Sequence, residues 1–97
     1  MSVVKHQALM HDSHDDVAVT IKDVLSGEQV LIKAIDGQDV TRITAYENVP
    51  LGHKISIRDI KDGAKVIKYG HAIGVATQYI PTGAHVHIHN IQSLRWS

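Results

Sequence analysis

Three histidines alternate with apolar residues in the stretch HVHIHN: His85, His87 and His89, separated by Val86 and Ile88. A neutral imidazole can ligate a divalent metal or move a proton near pH 7. On an extended strand the period of two places the imidazoles on one face and turns Val86 and Ile88 towards a core. Neighbours at i and i+2 stand about 6.5–7 Å apart, so His85 and His87 can converge on one ion. The outer pair, about 13 Å apart on a straight strand, cannot both reach it. Such a strand supplies two ligands, and the rest must come from elsewhere. The same spacing also suits a solvated polar face, and H-x-H alone does not decide between the two.

Histidine is over-represented, with eight in 97 residues. His6, His11 and His14 fall near the N-terminus, the last two within HDSHDD, which reads as a solvated polar loop. His53 follows a glycine in VPLGHKI and by itself reads as a surface turn residue. KYGHAIG places Gly70 and Gly74 four apart, which fits either plain turns or close backbone approach. It lacks the spacing of a phosphate loop. No Ser-His-Asp order marks a nucleophile.

The elements that must carry these residues read as short strands. VAVTI puts Val17, Val19 and Ile21 on one face, and KISIRDI does the same for Ile55 and Ile57. EQVLIKAI and DVTRITAY flank DGQ, a hairpin turn at Asp36-Gly37. An apolar-x-x-Gly-x-x-apolar motif occurs four times, as VLSGEQV, VPLGHKI, IKDGAKV and IPTGAHV. Each copy reads as a strand end, a glycine-closed turn and a new strand, with Pro50 and Pro81 setting φ at the turn's start. Unequal spacing between copies argues against a solenoid. The expectation is an all-β protein with at most one helical turn.

Bulk properties bound the function. The length suits one domain with a modest core, built from Val, Ile, Leu and Ala because there is no Phe and only one Trp. Ten basic and ten acidic residues balance, so there is no electrostatic case for nucleic acid or an anionic membrane. The absence of cysteine removes disulfides, thiolate metal sites and a Cys nucleophile. No signal-peptide pattern and no membrane-length apolar run stands in the sequence, and a cytoplasmic protein is expected.

Taken in order, DDVAV, VPLGHKISIRDIKDGAKVIKYGHAIG, IPTGAHVHIHN and the terminal RW resemble the SAF domain of the altronate/galactarate dehydratase family, from about Asp15 to Trp96. The family's usual DNVAV reads DDVAV here. The resemblance implies a β-clip fold, a long strand path folded on itself, with residues 1–97 as a single SAF domain. In this family the domain is joined to a larger catalytic domain in one chain or serves as a separate small subunit. An end directly after RW implies the small subunit, with a large catalytic subunit as partner.

The implied reaction eliminates water from a sugar acid such as altronate, with Fe2+ or Mn2+ held mainly by the large subunit. A base removes the proton next to the carboxylate, and a metal or acid assists the leaving group. A sulfolactate sulfo-lyase branch, which shares an RW-like tail, releases sulfite instead. A non-catalytic SAF module that binds carbohydrate or assists assembly is the third reading. Under the resemblance His85 and His87 are the catalytic residues and metal ligands. His53, Lys68, Tyr69, His89 and Asn90 bind substrate. His53 and Tyr69 approach the histidine groove, and His89 orients its neighbours with Asn90.

Overall fold

The computed structural model describes residues 6–12, 14–35 and 40–93. The expected turn at Asp36-Gly37 and the terminal RW lie outside these residues. Nine strands occur among the described residues and no helix. A six-stranded sheet takes the order β4-β3-β1-β2-β5-β8: β4 is Val40–Thr44, β3 Gln29–Ala34, β1 Ala8–Met10, β2 Val17–Thr20, β5 Lys54–Ser56 and β8 His85–Val86. Its neighbours are antiparallel except β1 and β3. A three-stranded antiparallel sheet takes the order β6-β7-β9: β6 is Lys65–Lys68, β7 His71–Ala76 and β9 Ile91–Ser93. The all-β expectation holds.

The fourfold motif explains how so short a chain builds a core. Its leading apolar residues are Val24, Val49, Ile60 and Ile80, and its trailing ones Val30, Ile55, Val66 and Val86; all are buried. The first two copies line one core and the last two line the other. Within each core the leading residues pair as an isolated antiparallel bridge, Val24 with Val49 and Ile60 with Ile80. In each copy a backbone N–H closes the turn onto the carbonyl three residues earlier, as Ala84 does onto Pro81 and His53 onto Pro50. The turn glycines all have positive φ, the conformation that favours glycine.

Val17, Val19 and Ile21 do not share one buried face. Val17 enters the second core and Ala18 the first, while Ile21, beyond the strand end, is exposed. Thr20 is buried, and its hydroxyl donates to the Pro50 carbonyl at 2.8 Å. The alternation rule presumes one wet face. Here β2 is covered on both sides because it runs between two cores. Gly74 is a close-approach glycine, since a Cβ there would meet the Gln92 carbonyl oxygen at 2.7 Å. Its neighbour is thus strand β9 rather than a ligand.

Gly83 and Gly63 share the same φ but not the same surroundings. A Cβ on Gly83 would stand 2.1 Å from the Thr44 carbonyl oxygen, whereas nothing lies within 4 Å of one on Gly63. Gly63→Ala should therefore cost only the left-handed backbone penalty, about 1–2 kcal/mol. Gly83→Ala should cost at least about 2 kcal/mol more, because backbone must shift. Urea unfolding of the two variants measures the difference.

Candidate functional site

The close approach at Gly83 brings the last motif copy against the segment after β4. The Gly83 carbonyl accepts the Tyr46 N–H at 2.9 Å. Glu47 then lies beside β8, and its Oε2 accepts the His85 backbone N–H at 2.9 Å. β8 pairs with β5, placing His85 opposite Ile55 and Val86 opposite Lys54. His53, two residues before Ile55, projects to the same side as His85. The two rings meet, with His53 Nδ1 and His85 Nε2 2.8 Å apart.

The histidine segment is not a straight strand. It leaves β8 after Val86 and turns back through residues 87–90. Asn90, only 3% exposed, holds the turn. Its Nδ2 donates to the His85 carbonyl at 2.7 Å, and its Oδ1 accepts the His87 N–H at 2.9 Å. Its backbone N–H donates to the His87 carbonyl and its carbonyl accepts the Thr77 N–H. Two expectations fall with the straight strand. Val86 is buried, but Ile88 is 84% exposed at the turn. The outer rings, His85 and His89, have centroids 5.3 Å apart rather than standing out of reach. The physical reason is that Asn90 satisfies the strand's polar groups locally, an alternative to continued pairing.

His85 is the centre of the resulting cluster, with the His53, His87 and His89 rings all about it. The His87 ring stacks on it, with centroids 5.5 Å apart and an interplanar angle of 11°. Burial and the neighbouring imidazoles of His53, His89 and His87 push the His85 pKa down, against a smaller opposing pull from Glu47. His85 is therefore neutral at pH 7, the form that ligates metal or accepts a proton.

The ligand nitrogens of His53, His85 and His87 lie within 4.8 Å of one another. Bonds of about 2.0–2.1 Å to a shared ion ask for separations up to about 4 Å, and the exposed His87 can close the difference by rotation. The donor set therefore fits a divalent transition metal. His53, which by itself reads as a surface turn residue and under the resemblance as a substrate-binding residue near the groove, is the third member.

The remaining expected site residues are placed elsewhere. Tyr69 does not pack on the histidine cluster. Its ring meets that of His11 at a tilt of 43°, with centroids 4.0 Å apart, and Lys68 Nζ lies 4.9 Å from its centroid. Tyr69 has φ of +59° because it stands in the β6–β7 turn, which aims it at the HDSHDD segment. That segment is more than a solvated loop. Buried Asp15 accepts the Gly70 N–H through Oδ1, and Asp16 accepts the Ile67 N–H through Oδ2 at 2.9 Å. Asp16 Oδ1 also pairs with Arg58 Nε at 3.2 Å. The DD departure thus lies where the chain pins the edge of β6.

Sequence reasoning missed Glu47, a lone carboxylate in AYENVP whose contact with His85 is made across 38 positions. It also missed a groove of about 440 Å3 lined by Tyr46, Glu47, Gln78, Tyr79, His89 and Asn90, together with Pro81 and Ala84. No lysine or arginine lines it. Tyr79 is held at its rim by a hydrogen bond to Asp59, which raises the tyrosine pKa, while the Thr82 N–H and hydroxyl, and after them Tyr79, lower that of the carboxylate.

Two measurements check this construction. Asn90→Ala removes both side-chain bonds of a buried amide and should destabilise the protein by about 2–3 kcal/mol, read by chemical unfolding. The folded pKa of His85 lies below its unfolded value near 6.5. The unfolded chain therefore takes up the proton first as pH falls. In metal-free protein the resulting stability is whole above that value and is lost below it, down through the lowered folded pKa. His85→Gln should flatten the pH dependence of the thermal midpoint between pH 7 and 5.

The comparisons with known proteins agree with this fold. The model of the altronate/galactarate dehydratase SAF domain matches residues 6–94. The chain is 37% identical over 89 residues to the (2R)-sulfolactate sulfo-lyase subunit alpha of Chromohalobacter salexigens, covering 91% of this chain and 95% of that one. It is 41% identical over 93 residues to the altronate dehydratase of Escherichia coli, covering 96% of this chain but 17% of that one. The galactarate dehydratase (L-threo-forming) of Escherichia coli is 33% identical over 75 residues, covering 77% of this chain and 13% of that one. The chain belongs to the altronate/galactarate dehydratase SAF-domain family.

Proposed function

We propose that the chain is the small subunit of a metal-dependent lyase that eliminates water from a sugar acid such as altronate, completing an active site supplied mainly by a separate large subunit. The observation that carries this is the convergence of His53, His85 and His87 beside a groove with hydroxyl, amide and carboxylate lining. Such a lining suits a polyhydroxylated chain, and the lack of a lysine or arginine there disfavours an extra sulfonate charge. An all-imidazole donor set suits Fe2+ better than Mn2+, which favours oxygen ligands. When bound, such an ion supplies a Lewis acid for the substrate's carboxylate and hydroxyl oxygens. The residues of this chain do the rest of its part. Across their 2.8 Å contact one of His53 and His85 donates its ring N–H to the other, and for both of these nitrogens to hold an ion that proton would have to pass to the donor's other ring nitrogen. His87 stands at the open side, and Glu47 with Asn90 holds the His85 backbone from both ends.

A second reading is the small subunit of a sulfolactate sulfo-lyase that releases sulfite. It is favoured by the match across 95% of that subunit, against 17% of the altronate dehydratase. A non-catalytic SAF module is the outcome if substrate binds without turnover.

Reconstitution with the family's large subunit from the same genome separates these. The isolated chain should be inactive. The complex should form a 2-oxo acid from altronate, and sulfite release from sulfolactate in its place would establish the second reading. His85→Ala and His87→Ala should each cut turnover about a hundredfold or more, with His6→Ala and His71→Ala unchanged. Full activity and metal content in both of the first two variants would overturn the role of the cluster.

A further inference from the structure

Ile88 is the most exposed large apolar residue of the described chain, at 84%. A single exposed isoleucine needs no explanation in itself. Its setting here is unusual. It stands between His87 and His89 in a turn held by four hydrogen bonds of Asn90. It is therefore presented rigidly, so little conformational entropy is lost when it is covered. The next residue, His89, lines the groove together with Tyr46 and Tyr79, which are 63% and 54% exposed. Apolar and aromatic anchors around a small polar centre form the pattern of an interface core.

The same face is short of acid. Four imidazoles cluster there, and Glu47 is the one carboxylate among the groove-lining residues, with one oxygen taken by the His85 N–H. What covers this face should bring carboxylates to the histidines as well as an apolar recess. In the Escherichia coli altronate dehydratase the segment matching this chain is 17% of the whole, so a far larger body lies outside it.

We infer that Ile88 is an anchor residue that inserts into an apolar recess of the large subunit, rimmed by carboxylates that face the histidine cluster. This rests on the proposed small-subunit function and adds to it which surface docks, and by what. The geometry gives the turn a double use: the same four hydrogen bonds that gather the imidazoles also push Ile88 outward.

The test is titration calorimetry of the purified chain against the purified large subunit. Ile88→Asp should weaken binding about thirtyfold or more, the scale of an interface hot spot. Because the side chain is exposed, its thermal midpoint and its own binding of Co2+ should match those of the parent chain. Ile35→Asp, at another exposed isoleucine (58%) that follows β3, should bind like the parent. Parent-like affinity of Ile88→Asp would overturn this inference and leave the proposed function standing. No binding by the parent chain would overturn both. A dimer of the isolated chain in sedimentation, broken by Ile88→Asp, would show that a second copy covers this face and would also overturn the inference.

Discussion

The site depends on one buried amide. A side-chain amide shielded from water must find partners, because an unmade hydrogen bond there costs about 1–3 kcal/mol. Asn90 finds them in the two backbone groups that an extended strand would have offered to a neighbour: the His85 carbonyl and the His87 N–H. Satisfying them locally ends β8 after two residues and curls the chain. Residues that would have stood in a row instead surround His85.

The curl would be of little use without an opposing wall. That wall comes from the motif that builds the cores. Four apolar-x-x-Gly-x-x-apolar copies each bury both of their apolar ends, two copies to each core. Since the turns are closed by glycine with positive φ, they are tight enough to lie against other backbone. The Gly83 turn uses this most, packing on Thr44–Tyr46 and so setting Glu47 at the His85 N–H. His53 arrives from the second copy and His85 from the fourth. The histidine cluster is thus assembled where β5 of one core meets β8 of the other.

The β6–β7 hairpin and the histidine cluster differ in what their charged and titratable groups touch. Asp15 and Asp16 have the residue types of an acidic site, yet they hold the β6–β7 hairpin through backbone N–H groups and Arg58. At that hairpin the Tyr69 ring meets that of His11, and Lys68 Nζ lies over the Tyr69 ring. The pKa of His85, by contrast, is lowered first by burial and then by the imidazoles of His53, His89 and His87.

Local chemistry is what the sequence determined by itself. Positive φ at the four motif glycines follows from a residue that alone tolerates it without strain, and alternating apolar residues called for strands. The turn motif fixed which valines and isoleucines go inside, because its two apolar ends are held at one separation by one turn geometry. What only the tertiary structure decided is everything that joins distant segments. The fate of Val17, Ala18 and Ile21 depended on whether β2 had one wet face or none. The third imidazole, the Glu47 contact and the exposure of Ile88 depended on where the chain folded back. A strand period says which residues alternate, but not where the strand stops. That was decided by Asn90, whose amide could reach its partners only once the segment was shielded from water, where a local hydrogen bond outweighs continued extension.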